Sequence, residues 1–264
     1  DPCYDSYEPA IVLAGGRAVH VPLTPHTFQV DWQRVADATT LRTRLIIVNS
    51  PHNPCGATLS SDDMLQLQAL AEQHNLLVIS DEVYEHLVFD GKEHHSALQF
   101  PALRQRSFAL FSFGKTFSVT GWKTGYCVAP PALTTELRKV HQFMVFTVNT
   151  PMQHALARYM ADPAPYLELP DFYQRKRDLF GELLSESRFG INPSAGTYFQ
   201  LADYSAISDA PDTEFTRWLT TEKGVAAIPI SVFYADPPEQ RVIRFCFAKN
   251  DETLIEAAKL LCRI

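Results

Sequence analysis

The chain has 264 residues with a formal net charge of −7, and 46% of its residues are hydrophobic. This composition is typical of a globular protein that forms one large domain or two modest ones. The acidic balance argues against nucleic acid and anionic membranes as partners, and no run approaches the roughly 20 apolar residues of a membrane span.

Short apolar runs in the first half of the chain predict buried β-strands. They occupy residues 18–22, 44–49, 76–81, 107–113 and 125–129. Continuous apolar runs with β-branched or aromatic residues are typical of a parallel sheet that helices cover on both faces. The predicted fold class is therefore α/β, with a mainly parallel sheet.

A helix is predicted between the second and third of these strands. Ser60 and Asp63 form a capping-box pattern at its start, and Asn75 fits a left-handed residue at its end. The resulting strand–helix–strand unit predicts a right-handed crossover between parallel strands.

The character of the sequence changes near residue 130. Long helical patterns cover residues 133–146, 151–160 and 169–187, with a proline-containing break at 162–165. Strand-like runs at 197–201, 225–229 and 241–247 then alternate with helices near 213–223 and after Asn250. We therefore predict a large domain over 1–150, connecting helices to about 185, and a smaller α+β domain over 186–264.

Lys115 follows the apolar run 108–111 and so lies at the exit of a predicted buried strand. A buried amine has a lowered pKa and an available lone pair, which suits formation of a Schiff base. A lysine that only extends to the surface is the alternative. Asn49 and Asp81 also end predicted strands, where open α/β sheets carry their ligand sites.

Three other segments contain candidate functional residues. The loop 49–56 combines two prolines, two asparagines and a glycine, which could aim amide groups, although an ordinary turn is the alternative. Asp81, with Tyr84 three residues later, either faces a cationic ligand nitrogen, pairs with a base or caps a helix. Lys123 follows Lys115 by eight residues in a loop of hydroxyls and glycines that could surround a phosphate.

Arg244 interrupts the apolar run 242–247 near the end of the chain. A buried guanidinium requires an anion, and a substrate carboxylate offers a bidentate match, whereas an internal salt bridge is the alternative. No metal site is predicted. The five cysteines are scattered without a CxxC pair, and His86, His94 and His95 lack a carboxylate–histidine helix motif. This cysteine pattern fits a reducing cytoplasm best.

The motifs together resemble those of a known family. They read S-F-G-K-T-F-S-V-T-G-W-K-T-G-Y, N-S-P-H-N-P-C-G, D-E-V-Y and R-F-C-F. They are similar to the signatures of class I/II aminotransferases, which are fold type I pyridoxal-phosphate enzymes. The segment 140–160 is similar to the bacterial methionine aminotransferase branch and, nearly as closely, to the kynurenine–oxoglutarate aminotransferases.

The resemblance implies a role for each matching residue, with pyridoxal 5'-phosphate as cofactor. Lys115 would hold the cofactor as a Schiff base and move the Cα proton of the substrate, and Asp81 would pair with the protonated pyridine nitrogen. The remaining roles fall on Asn53 and Tyr84 at the phenolic oxygen, Ser112 and Lys123 at the phosphate, Tyr4 on the ring face, and Asn49 and Arg244 at the substrate carboxylate. Many relatives have arginine where Lys123 stands, which puts bidentate phosphate binding in doubt.

The implied function is transamination between an amino acid, with methionine or an aromatic one favoured, and a 2-oxo acid, in a cytoplasmic homodimer. A β-lyase that acts on cysteine conjugates and an inactive or effector-sensing module of the same fold are the alternatives. About the first third of a typical member has no counterpart in this sequence, so the fold is expected to be N-terminally truncated. The 264-residue chain alone is expected to bind the cofactor weakly and to aggregate.

Overall fold

The computed structural model describes residues 1–264, which form eleven α-helices and eight β-strands. The helices are α1 (Tyr7–Leu13), α2 (Trp32–Ala38), α3 (Ser61–Gln73), α4 (Pro101–Arg104), α5 (Phe113–Thr116), α6 (Pro131–Met144), α7 (Thr150–Tyr159), α8 (Ala164–Leu167), α9 (Leu169–Leu183), α10 (Asp212–Lys223) and α11 (Asp251–Leu261). The strands are β1 (Leu45–Asn49), β2 (Leu77–Asp81), β3 (Ser107–Ser112), β4 (Gly125–Val128), β5 (Gly190–Ile191), β6 (Phe199–Asp203), β7 (Ile228–Pro229) and β8 (Val242–Cys246). None of the helices is both long and apolar enough to cross a bilayer.

The chain divides into two compact units, each of which is discontinuous in sequence. Unit 1 consists of Asp1–Val30, His52–Ala57 and Asp171–Ile264, and unit 2 of Asp31–Pro51 and Thr58–Pro170. The expected division into a large domain over 1–150 and a small domain over 186–264 stays a prediction.

Unit 2 is built on a four-stranded sheet in the order β1-β2-β3-β4. Strands β1, β2 and β3 run parallel, and β4 is antiparallel to β3. This mixed, mostly parallel sheet confirms the predicted α/β class. The four apolar runs from 44 to 129 form its strands, within one or two residues of the predicted limits.

Helix α3 connects β1 to β2 and begins at the predicted capping box. The Ser60 side chain accepts a hydrogen bond from the Asp63 backbone, and the Asp63 carboxylate accepts one from the Ser60 N–H. Asn75 has a φ of +51°, which confirms the left-handed residue after the helix. The apolar face of α3 includes Met64 and Leu67, which are 1% and 0% exposed, and packs with residues of β2 into the core of this unit.

Unit 1 contains a four-stranded antiparallel sheet in the order β5-β6-β8-β7. Phe180 of α9, Phe215 of α10 and Phe245 of β8 are buried in this unit. The predicted smaller α+β arrangement in the last third of the chain is confirmed.

The predicted strand at 18–22 is wrong, because these residues form no regular element. The amino group of Asp1 donates to the Val21 carbonyl, and the Leu23 N–H donates to the Asp1 carbonyl. Pro22 lies between them and has no N–H with which to extend a strand ladder.

Candidate active site

In unit 2, polar side chains lie where neighbouring parallel strands end. Asn49 is the last residue of β1 and lies opposite Asp81, the last residue of β2, while Ser112 ends β3. The Asn49 Nδ2 donates to the Asp81 carbonyl oxygen at 2.8 Å, and the Ser50 N–H donates to the same oxygen at 3.1 Å. These bonds fix the main chain at the point where the Asp81 side chain leaves the sheet.

Asp81 opens a series of turns instead of a helix. Its Oδ1 accepts a hydrogen bond from the Val83 N–H at 3.3 Å, and the following residues form turns such as Leu87 N–H to Tyr84 carbonyl, at 2.8 Å. The alternative of a helix N-cap therefore does not apply. The turn buries Tyr84 to 3% exposure.

Lys115 lies in the short helix α5, directly after β3, and is partly buried. Its Nζ is 5.7 Å from the centroid of the Tyr84 ring. The structure therefore brings together the lysine and the tyrosine that the sequence pattern placed in one site.

The loop after Lys115 folds back onto the start of α5, where Thr120 approaches Gly114. Gly114 allows this approach, because a Cβ there would lie 3.0 Å from the Cα of Thr120 and 3.3 Å from Ser112 Oγ. The Thr120 hydroxyl donates to the Gly114 carbonyl at 3.0 Å. Lys123 follows in the left-handed region, with a φ of +52° and an exposed side chain.

A buried carboxylate that the sequence interpretation missed supports the turn of Asp81 and Tyr84. Glu82 is 1% exposed, and its Oε1 accepts hydrogen bonds from Ser80 Oγ at 2.7 Å and from the Ala97 N–H at 3.0 Å. Its Oε2 lies 2.8 Å from His94 Nε2. His94, first considered as a metal ligand, is thus a partner of this carboxylate.

A second acidic group lies near the same turn. Tyr126 of β4 donates its hydroxyl to Glu85 Oε1 at 3.2 Å, and His86 Nε2 is 3.6 Å from the same oxygen. Burial raises the pKa of Glu85 to about 7, although the hydrogen bond from Tyr126 acts in the opposite direction.

In unit 1, the guanidinium of Arg244 meets the amide of Asn53. Arg244 Nη1 donates to Asn53 Oδ1 at 2.5 Å, and Asn53 is 9% exposed. The sequence predicted a role for each residue but gave no sign of this contact. Tyr4, also in this unit, is 42% exposed and packs edge-on against Tyr7.

The loop that carries Asn53 is closed by its own hydrogen bonds. The His52 N–H donates to the Ala57 carbonyl, and the Gly56 N–H donates to the His52 carbonyl. Gly56 has a φ of +71°, and a Cβ there would lie 2.6 Å from the Cβ of Ser194. Only glycine fits such a close approach in this conformation.

Partly buried His52 and buried Cys55 form a neutral pair in the same loop. His52 Nδ1 lies 2.8 Å from the Cys55 sulfur. Burial lowers the pKa of His52 to about 3 and raises the pKa of Cys55 to about 12, so both are uncharged at neutral pH. Their spacing at i and i+3 in a proline-rich loop was the available signal, which the sequence interpretation did not use.

The side chains of unit 2 fit the functional groups of pyridoxal phosphate. The primary amine of Lys115 matches the aldehyde, the carboxylate of Asp81 matches a protonated pyridine nitrogen, and the Tyr84 hydroxyl matches a phenolate oxygen. Asp81 ends a strand of the sheet, and Tyr84 and Lys115 each follow the end of a strand in the same sheet.

Comparisons with known proteins identify the family. The family model described as "Aminotransferase class I and II" matches residues 1–261 of the chain. The chain is 53% identical to the methionine aminotransferase of Escherichia coli over 262 residues, which are 99% of this chain and 68% of that protein. It is 35% identical to mouse kynurenine–oxoglutarate transaminase 1 over 297 residues, with 99% of this chain and 70% of that protein covered.

Solved structures agree with this assignment. The structure of an Escherichia coli protein with a methionine aminotransferase function superposes with a TM-score of 0.97 at 52% identity, and covers 100% of this chain and 70% of that one. N-succinyldiaminopimelate aminotransferase from Mycobacterium tuberculosis gives a TM-score of 0.95 at 38% identity, with the same coverage. The resemblance that the motifs indicated is confirmed: the chain belongs to the class I and II aminotransferases, a family of pyridoxal-phosphate-dependent enzymes.

Proposed function

We propose that this chain transfers the amino group of methionine or of an aromatic amino acid to a 2-oxo acid, with pyridoxal phosphate as its cofactor. The relatives that support this choice are named for methionine and for kynurenine, which has an aromatic side chain. A mainly apolar donor also agrees with the sequence, in which no pattern indicates a second arginine for a side-chain carboxylate.

The observation that carries the proposal is the position of Lys115. Its amine lies 5.7 Å from the Tyr84 ring, and both residues follow strand ends beside Asp81. Bound pyridoxal phosphate supplies an aldehyde that condenses with amines and a protonated ring that withdraws electrons from the adjacent carbon. Lys115 would hold that aldehyde, and its amine would move the Cα proton of the substrate.

The other candidate residues of unit 2 are proposed to orient and hold the cofactor. Asp81 keeps the ring nitrogen protonated, because a carboxylate favours the charged form of a partner base. The Tyr84 hydroxyl would hydrogen-bond the phenolic oxygen, a role that is also proposed for the amide of Asn53. Ser112 and Lys123 would supply a hydroxyl and a cation to the phosphate. The hydrogen bond from the Thr120 hydroxyl to the Gly114 carbonyl supports this role, because it folds the loop between the two residues.

The substrate carboxylate is assigned to Arg244 and Asn49. Arg244 carries N–H donors along its planar edge in addition to the one directed at Asn53, and such an edge matches a carboxylate. The Asn49 amide has a second hydrogen besides the one that it donates to Asp81. Tyr4 is proposed to stack on the cofactor ring. Its exposure of 42% supports this role, because the ring is accessible to a ligand.

We also propose a homodimer in the cytoplasm. The end of α6 exposes large apolar side chains, since Phe143 and Met144 are 86% and 79% exposed and the following Phe146 is 80% exposed. Exposed apolar groups of this size are typical of interfaces. All five cysteines are free thiols, in keeping with a reducing compartment. Sedimentation velocity of the full-length enzyme tests the dimer.

A borohydride experiment tests the function. The full-length enzyme is mixed with pyridoxal phosphate, reduced with borohydride and digested, and the modified peptide is identified by mass spectrometry. We expect the label on Lys115, and we expect Lys115→Ala to lose both the label and the visible absorption band of the lysine-bound cofactor. Lys139, an exposed lysine in α6, provides a matched control, because Lys139→Ala should retain both signals.

Substrate assays complete the test. The enzyme is offered a panel of amino acids with a 2-oxo acid, and the products are analysed. A new amino acid in equal amount to the 2-oxo acid formed from the donor supports transamination. Pyruvate and ammonia released from a cysteine conjugate without an acceptor would instead identify a lyase, and an unlabelled Lys115 would remove the basis of the proposal.

A further inference from the structure

The guanidinium of Arg244 lies against two aromatic rings as well as against Asn53. Its Cζ is 4.0 Å from the centroid of Phe199 and 4.8 Å from the centroid of Phe233. Both distances are within the roughly 6 Å over which an aromatic face attracts a cation. Arg244 itself is partly buried, and the two phenylalanines are 8% and 7% exposed, so these contacts are largely removed from water.

The sheet of unit 1 fixes the first of these rings. Arg244 of β8 lies opposite Leu201 of β6, and Phe199 precedes Leu201 by two residues. Because side chains alternate across a strand, Phe199 and Leu201 point to the same face as Arg244. Phe199 is therefore a diagonal cross-strand neighbour, at a separation that long and aromatic side chains bridge.

A different element presents the second ring. Phe233 ends the short 3₁₀ turn Ser231–Phe233, which follows β7. The carboxylate of Asp212 is 6% exposed and holds the start of this turn, since its two oxygens accept from the Ser231 N–H and from the Ser231 hydroxyl, each at 2.7 Å. The Phe233 carbonyl accepts from the Cys3 N–H at 2.8 Å, which fixes the other end.

We infer that Phe199 and Phe233 are positioning residues that set the plane of the Arg244 guanidinium for a carboxylate ligand. An arginine has a long side chain with many rotamers, and a carboxylate takes two parallel hydrogen bonds only from the edge of the guanidinium plane. Aromatic rings attract the face of that plane, whereas the N–H groups point outward along its edge, from which Arg244 donates to Asn53. This inference rests on the proposed role of Arg244 and assigns new residues to it.

The consequence is a defined kinetic signature. The amino-acid substrate and the 2-oxo acid substrate both carry the carboxylate, so weakening the ring contacts raises the KM for both. The affinity for the cofactor should change less, because the two rings face Arg244, which is assigned to the substrate. A merely structural role for the phenylalanines would not separate carboxylate ligands from uncharged ones.

The test uses the full-length enzyme loaded with pyridoxal phosphate and two unreactive ligands of the same shape. Hydrocinnamate has a carboxylate and hydrocinnamide has an uncharged amide, and isothermal titration calorimetry gives the dissociation constant of each. For Phe199→Leu and Phe233→Leu we expect hydrocinnamate to bind about threefold to tenfold more weakly, as loss of a partly buried cation–π contact predicts. Hydrocinnamide should bind both variants with the same dissociation constant as the unchanged enzyme.

A second set of variants keeps the shape of the ring. Phenylalanine analogues with one, three and five fluorine atoms at position 233 weaken the negative face of the ring stepwise, so hydrocinnamate affinity should fall in the same order. Phe215→Leu is the matched control. Phe215 is 2% exposed in the same unit and stacks on Tyr204 at 4.0 Å, so its replacement should lower stability but leave the two affinities in their original ratio.

Three results would overturn the inference. An equal loss of affinity for acid and amide would show that the rings act through apolar packing. Unchanged hydrocinnamate affinity in the leucine and fluorinated variants, alongside a large loss in Arg244→Gln, would remove the role of the rings and leave the proposed function intact. Unchanged affinity in Arg244→Gln itself would remove the assigned carboxylate site and the inference with it.

Discussion

Replacing Glu82 by alanine provides a quantitative test of the turn that carries Asp81 and Tyr84. Glu82 is 1% exposed and accepts hydrogen bonds from the Ser80 hydroxyl, the Ala97 N–H and His94 Nε2. Alanine would leave three polar groups without their acceptor, of which Ser80 and Ala97 are buried and His94 is partly buried. Each such group costs about 1–3 kcal/mol, and the loss is partly offset because the carboxylate no longer has to be buried.

We therefore expect Glu82→Ala to lower the free energy of unfolding by about 3–5 kcal/mol, a large share of the roughly 5–15 kcal/mol that stabilises a typical protein. Glu82→Gln retains an acceptor for two of the three donors and should cost only about 1 kcal/mol. The dissociation constant for pyridoxal phosphate should rise in the alanine variant, because Glu82 directly follows Asp81.

The assay is urea unfolding of the full-length enzyme, followed by circular dichroism, together with a cofactor titration by absorbance. Glu72, an exposed glutamate in α3, provides the control, since Glu72→Ala should change stability by less than about 0.5 kcal/mol. A loss below about 1 kcal/mol in Glu82→Ala would show that the three contacts do not hold the turn.

Three further predictions concern individual side chains. Gly56→Ala should destabilise the protein by more than Gly224→Ala does in thermal unfolding, because both have positive φ but only Gly56 would meet neighbouring atoms within 4 Å; equal losses would contradict this. Exposed Cys262 should react with a thiol reagent at pH 7 while Cys55 does not, since burial raises the Cys55 pKa to about 12; peptide mapping checks the order. Glu85 has a pKa raised from 4.5 to about 7, so its contribution to stability is present at low pH and is lost as pH rises to 7; unfolding at pH 5 and 8 should show a smaller fall for Glu85→Gln than for the unchanged enzyme.

Local patterns predicted much of the sheet in unit 2 and the residues at its strand ends. The capping box of Ser60 and Asp63 and the left-handed Asn75 depend on neighbours within a few positions, which a sequence shows directly. The apolar runs of the strands likewise record their burial. The antiparallel direction of β4 was not predicted, because a buried run does not show which way its strand points.

Contacts between distant residues were beyond this kind of interpretation. Arg244 and Asn53 are 191 positions apart, and neither apolar spacing nor local turn chemistry indicates that they meet. The same holds for the ring of Phe233 against Arg244 and for the His94 partner of Glu82. Residues 18–22 show the opposite error, since this apolar run has strand character but forms no strand. Its backbone hydrogen bonds are made with Asp1, on either side of a proline.

The split of unit 1 into three sequence pieces has a consequence for synthesis on the ribosome. Unit 2 ends at Pro170, so all of its residues have been synthesised before any residue of the last piece of unit 1, Asp171–Ile264, is added. The first piece, Asp1–Val30, and the hexapeptide His52–Ala57 must then wait for late-made partners, and the closure of such long chain loops is slow. We expect nascent chains stalled early in the last piece, once Pro170 has left the exit tunnel, to protect unit 2 from protease while these two early pieces stay open to cleavage.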